Sequence, residues 1–279
     1  MSEVDIDHLR QWIGRSEVRQ ELLTPAMAAR FNATFDRGDE PANGEIAPSM
    51  IHLCLAPPAA PTGELGEDGH PARGGFLPPV PLPRRMWAGG AFTFHDDILV
   101  GETVARHSSI QDVTLKQGRS GALCFVTVNH QITADSRPVL TERQDIVYRD
   151  IDPPGRAPRT PPAAAPGRHR RVIPPSPALL FRYSALTFNG HRIHYDHPYV
   201  TGVEGYPGLI VHGPLQATLL LHFAETLRGA RPAGFAFRSL SPLFDTADFT
   251  LNADEDADGL RLWTAYADGP VAMEARASW

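Results

Sequence analysis

The chain has 279 residues, enough for about two domains of ordinary size and for a well-buried core. Its 26 basic and 32 acidic residues leave a formal charge of −6 with no acidic tail, which excludes a dedicated DNA or RNA binder working by phosphate neutralisation. Hydrophobic residues at 42% and charged residues at 21% fit an ordinary globular chain, while 27 prolines, about twice average usage, require long irregular connections.

The first 25 residues mix acids and bases without the apolar run of a secretory signal, and no window approaches about 18 consecutive apolar residues. A cytoplasmic protein without a membrane span is therefore expected. Cys54 and Cys124 stand in no CxxC or metal-type pairing and read as buried, inert thiols. Ala47-Pro48 opens a stretch, SMIHLCLA, that reads as a short helix. Residues 57–83, rich in proline and glycine, must form an unusually long loop, and such loops are often functional or covering elements.

Strands follow at Ala91–Phe94 and Thr103–Leu115, along the run GALCFVTVNHQIT from Gly121, and at Val139–Tyr148. Residues 152–177 then lose all periodicity and read as a linker or an ordered crossing strap, dividing the chain into 1–151 and 178–279. Beyond a polar cluster at 182–198, Gly213-Pro214-LQATLLLHFAETLR-Gly229 carries helix start and stop signals in the correct order. Leu215, Leu219, Phe223 and Leu227 form one row of this helix, with Leu220, Leu221 and Ala224 beside it, an apolar face wide enough to be wrapped by a sheet. Strands at Phe235–Ser239, Asp248–Asn252 and Leu260–Ala267, joined by short turns, point to an antiparallel sheet.

At an offset of 143 residues, Phe92-Thr93-Phe94 meets Phe235-Ala236-Phe237, Val100 meets Leu243, Glu102 meets Asp245 and Thr103 meets Thr246. Ala47-Pro48 likewise resembles a shortened Gly213-Pro214 helix start. The fold expected is an α+β duplication in which each half curls a sheet round one central helix.

The densest polar cluster reads Phe188-Asn189-Gly190-His191-Arg192-Ile193-His194-Tyr195-Asp196, followed by Val211-His212-Gly213. It resembles the hydratase motif of the MaoC-like, double-hotdog acyl-thioester hydratases and dehydratases, usually Gly-Asp-x-Asn-Pro-x-His with a later His-Gly at a helix start. It is closer still to the subgroup of mesaconyl-C4-CoA hydratases and mitochondrial hydroxyacyl-thioester dehydratases. Gly74-Gly75-Phe76-Leu77-Pro78-Pro79 and Arg84-Arg85-Met86-Trp87-Ala88-Gly89-Gly90 look like that subgroup too.

The resemblance implies a double hotdog, two antiparallel sheets each wrapped round a helix. The N-terminal half would shape the acyl pocket and the C-terminal half would do the chemistry. It implies a hydro-lyase acting on a CoA thioester without a cofactor, with a C4 or C5 dicarboxylyl-CoA such as mesaconyl-C4-CoA favoured, and exposed sheet edges leave a homo-oligomer open. A fatty-acid-type 3-hydroxyacyl-thioester dehydratase, a thioesterase and a non-catalytic thioester-binding module are the alternatives.

His194 inherits the proton transfers and Asn189 the water. The Gly213 N–H at the helix start would hold the developing enolate oxygen, where free amides and the helix dipole favour negative charge. Asn189 stands where the motif has aspartate, and an amide cannot exchange a proton. Either His194 makes both transfers, or a carboxylate such as Asp196 or Glu204 makes the second.

His212 could equally contact the ligand or pack the helix N-terminus, and Tyr183 and Arg192 are further candidates for substrate contact. Arg182, Arg192, Arg238 and the Arg84-Arg85 pair could grip a free acyl carboxylate. The spacing of His191, His194 and His197 raises the question of a metal, but no acidic or cysteine ligand accompanies them, so none is expected.

Overall fold

The computed structural model describes residues 4–38, 40–118, 121–150 and 161–279. Ten antiparallel strands form one continuous sheet, a correction to the expectation of two. They are β1 (Ser16–Leu22), β2 (Arg84–Phe94), β3 (Thr103–Gly118), β4 (Gly121–Ala134), β5 (Arg137–Arg149), β6 (His169–Ile173), β7 (Gly234–Ser239), β8 (Phe249–Asp256), β9 (Gly259–Tyr266) and β10 (Val271–Ser278). Their order, β1-β3-β4-β5-β2-β7-β10-β9-β8-β6, reads the same from either end once the second half is matched to the first. The two halves meet where β2 pairs with β7, Phe92 opposite Phe235 and Ala91 opposite Ala236. The aromatic strands of the repeat thus pair with each other, and Phe92 stacks on Phe235 and Phe237 at 6.3 and 5.9 Å between ring centres.

The helices are α1 (Ile6–Arg10), α2 (Pro25–Thr34), α3 (Pro177–Leu186), α4 (His197–Gly202) and α5 (Gly213–Arg228). None among the described residues is long and apolar enough to cross a membrane. A second register of the duplication, at an offset of 152, is visible in α2 and α3. Thr24-Pro25-Ala26 and Ser176-Pro177-Ala178 start them in the same way, with the hydroxyl capping the Met27 and Leu179 amides. Both end in a left-handed non-glycine residue, Asp36 (φ 53°) and Phe188 (φ 50°). The next amides turn back alike, Arg37 N–H to Asn32 C=O and Asn189 N–H to Ser184 C=O. Within the expected linker, β6 is an edge strand on β8 and Ser176 caps α3, while 151–160 lie outside the described residues.

Among the described residues, a central helix exists only in the second half. α5 lies against β7 to β10 with Leu215, Leu220, Leu221 and Phe223 buried, each contributing about 1.5–3 kcal/mol by leaving water. Its first turn is pinned: Thr264 Oγ1 donates to Gln216 Oε1 at 2.8 Å and Gln216 Nε2 donates to the Val211 carbonyl. In the first half the expected short helix is a single 3₁₀ turn, Ile51–Cys54. Met50 before it and Ala56 after it take positive φ, and Pro57-Pro58 close off any continuation. The space on β3 to β5 is filled by α1 and residues 76–82 of the long loop, with Leu9, Val80 and Leu82 buried against Val113, Val126 and Tyr148. The loop is therefore a covering element. Cys54 and Cys124 are buried, and burial raises both thiols, to about 12 and about 11.

Candidate active site

α3 ends at Leu186, the chain reverses through Phe188, and Arg192–His194 form one 3₁₀ turn that carries His194 inward. His194 is 7% exposed. Its Nδ1–H donates to the Ile210 carbonyl at 2.8 Å, and because a carbonyl only accepts, Nε2 is left with its lone pair bare. Burial pulls its pKa down to about 4, with His70 adding to the fall and the Ile210 bond opposing it, so the ring is neutral and able to accept a proton near pH 7.

Against His194 lies His212, the residue before α5, with ring centres 3.6 Å apart and planes 17° from parallel. His212 Nε2 is hydrogen-bonded to Ser184 Oγ at 2.8 Å and its Nδ1 has no protein partner. Burial, then the neighbouring His194 and His191, keep it uncharged. The stacking and the Ser184 bond pack the ring at the helix start, and the unbonded Nδ1 keeps the ligand-contact reading beside that one. The adjacent Gly213 N–H meets no backbone acceptor among the described residues. A Cβ on Gly213 would meet neighbours only at ordinary contact distances, 3.7 Å or more, so the backbone there does not require glycine and the value of the missing side chain is open approach to the amide.

Asn189 folds on its own loop: its Oδ1 accepts from the His191 N–H at 3.0 Å, which leaves its Nδ2 to donate to water. Tyr183 stands behind His212, edge-on at 5.0 Å, and burial raises its phenol far above the ordinary value. It stays protonated, with its ring packed against His212.

Arg192, a candidate for substrate contact, is engaged within the protein. Its guanidinium pairs with Asp196 at 2.8 Å, lies 3.9 Å from the Tyr199 ring centre and donates to the Glu67 carbonyl, which makes it a strut. The carboxylates nearest in sequence are occupied as well. Asp196 caps the Tyr199 amide, and Glu204 accepts from the Tyr199 hydroxyl and faces Arg84.

Sequence reasoning missed the residues that close the site from above. The long loop turns at Asp68-Gly69-His70 and docks on Asn189-Gly190-His191 so tightly that a Cβ on Gly69 would lie 2.0 Å from the Gly190 carbonyl oxygen. Gly69 also has φ +85°, where only glycine is unstrained. The Arg192 N–H donates to the Asp68 carbonyl. Asp68 accepts from the His70 N–H and from His70 Nδ1, both at 3.0 Å. Burial alone would raise the Asp68 carboxyl, but the His70 bonds outweigh it and hold the group well below the usual carboxylate range.

The His70 ring lies 4.0 Å from that of His191, and His191 lies 5.4 Å from His194. Four imidazoles thus run from the loop to the start of α5. The fold supplies the carboxylate whose absence set a metal aside, since Asp68, His70 and His191 bring three possible ligand atoms within 4.8 Å of one another. Both Asp68 oxygens accept from His70. His70, inside the proline-rich stretch and followed directly by Pro71, carries no local signal that it meets His191, 121 residues further along the chain.

The family model for hydroxyacyl-thioester dehydratase type 2 matches residues 50–245. Mesaconyl-C(4)-CoA hydratase of Chloroflexus aurantiacus is 44% identical over 95% of this chain and 95% of its own. A MaoC-like dehydratase from Phytophthora capsici superposes with a TM-score of 0.70 at 13% identity, covering 99% of both chains. A Mycobacterium tuberculosis protein described as a double hotdog gives 0.56 at 17% identity over 95% of each.

Proposed function

From the premise that this chain belongs to the hydroxyacyl-thioester dehydratase type 2 family, we propose that it adds water reversibly across the double bond of mesaconyl-C4-CoA or a like C4 or C5 dicarboxylyl-CoA, giving citramalyl-CoA from the former. The chain is a hydro-lyase, a hydratase/dehydratase of the double-hotdog class. The observation that carries the reading is the bare Nε2 of buried His194, whose ring stacks on His212, the residue next to the Gly213 N–H that opens α5.

In hydration, His194 Nε2 takes a proton from a water oriented by Asn189 Nδ2. The water oxygen bonds the β-carbon, and the electrons of the double bond move onto the thioester oxygen against the Gly213 amide and the helix dipole. A proton at the α-carbon completes the addition.

Mixing the enzyme with mesaconyl-C4-CoA should abolish the ultraviolet band of the enoyl thioester without releasing free thiol, which separates a hydratase from a thioesterase. His194→Ala should slow this by about 10²–10⁴-fold. Because His194 becomes charged only below about 4, kcat/KM should fall on the acid side near that pH. A variant as fast as wild type would remove His194 from the mechanism.

A further inference from the structure

Hydration moves one proton off oxygen and one onto carbon, and of the other motif imidazoles neither His191 nor His212 has a carboxylate hydrogen-bonded to it among the described residues to hold a proton there. Asn189 cannot exchange a proton, and Asp196 and Glu204 are committed to a helix cap and to ion pairs. The long loop brings in what is missing. We infer that His70, backed by the Asp68 carboxylate, is the second proton-transfer group of this site, giving the α-carbon its proton while His194 takes one from water.

The geometry is that of an anchored imidazole. His70 Nδ1–H donates to Asp68 Oδ2 at 3.0 Å, so Nε2 is the exchanging atom, as in His194. The Asp68 main chain is fixed to the motif by the Arg192 N–H, the Glu67 carbonyl by the Arg192 guanidinium, and the Gly69–Gly190 contact leaves no slack between loop and motif. The pair is a structural part of the site, one ring away from His194 through His191. A protonated His70 beside an ionised Asp68 is neutral overall, which lets a buried site hold a transferable proton without a net charge.

The step balances. Neutral His194 accepts the proton of the O–H bond that breaks, the oxygen bonds the β-carbon, and the enolate forms on the thioester oxygen. As the enolate collapses, the His70 Nε2–H bond breaks and its proton bonds the α-carbon. Charge on the two rings has moved from His70 to His194, and exchange with solvent resets it after product leaves.

This inference rests on the hydratase reading, and its tests separate the two. His70→Ala should lower kcat about 10²-fold or more, and imidazole added in solution should restore part of the loss. His70 faces Asp68, His191, Arg85 and Arg73. Burial lowers its pKa, Asp68 opposes the fall, and Arg85 and Arg73 reinforce it. Since His70 must carry its proton, the rate should decline as pH rises through a value below the ordinary histidine one. Asp68→Asn, which deletes the opposing pull, should move that alkaline limb to still lower pH; a purely structural role for Asp68 would reduce the rate and leave the limb in place.

His70→Ala with activity within a few-fold of wild type, loss that imidazole does not restore, or an unmoved limb in Asp68→Asn would each overturn the assignment. In all three cases an active wild-type enzyme leaves the hydratase reading intact. A wild-type enzyme that hydrates no enoyl-CoA defeats both.

Discussion

The two halves of this chain share a scaffold and divide its uses. Each presents an edge strand, a Ser- or Thr-capped helix opening on proline, a left-handed residue after it, and four antiparallel strands. In the second half the left-handed turn leads into Asn189 and the imidazole loop, and a sixteen-residue helix fills the sheet. In the first half the same turn leads into Arg37, which faces Glu225 at 3.8 Å, and the helix has shrunk to one 3₁₀ turn. The difference teaches that the strand framework and the reactive loop are separable. The first half keeps only a 3₁₀ turn where the second has its long helix, and its long loop packs against the Asn189–His191 turn of the second.

That comparison can be broken by pairing each change at the reactive loop with its counterpart. The largest contrast is expected between His194→Ala, which should cost orders of magnitude in rate with little change in Tm, and Arg37→Ala, which should leave kcat unchanged because a part-exposed ion pair contributes at most about 1 kcal/mol. Loss of rate in Arg37→Ala, measured with the same enoyl thioester, would show that the first half shares in the chemistry.

Next comes the buried polar cluster peculiar to the first half. Glu142 and His52 have side chains 3% exposed and lie 3.5 Å apart, and His130 is bonded to Ser108 at 2.8 Å. Burial resists ionisation of Glu142, but His130, His52 and Arg106 outweigh it and hold its carboxyl below the ordinary glutamate value. A carboxyl lowered in this way stabilises the fold above its unfolded-state pKa and loses that contribution as pH falls through the folded one. Glu142→Ala should therefore destabilise by about 3–5 kcal/mol in denaturant titrations at neutral pH, less in acid, with kcat of the folded enzyme preserved.

A smaller effect is expected of Gly213→Ala. Its Cβ fits, so Tm should hold while KM and kcat worsen through crowding of the amide proposed to hold the thioester oxygen. An unchanged rate would place the thioester elsewhere. Smallest of all, Asp36→Gly and Phe188→Gly should each gain less than about 1 kcal/mol by relieving a left-handed residue, since glycine's greater unfolded-state entropy offsets most of the relief. A large loss in one half alone would show that the two turns are not equivalent.

Much of this was legible before any coordinates. Proline at the start and glycine past the end marked α5 to the residue, and alternation marked most strands, because caps and pleats are local. The motif around His194 was legible as a resemblance. β6 was hidden in a proline-rich stretch, and α2 and α3 were short enough to be overlooked. Arg192 looked free because nothing local shows that Glu67 and Tyr199 would engage it.

The amino-acid sequence alone determined the α+β duplication and the buried rod of the second half, since both are written in periodicity and capping residues, and a contiguous motif pointed to His194 as the base proposed above. Only the tertiary structure decided that the two halves share one sheet, that the first half lacks its helix, and that Asp68 and His70 stand beside His191. Strand partners across the β2–β7 junction and a loop's landing place depend on which distant backbones approach, and two facing glycines encode that approach only once both are in position.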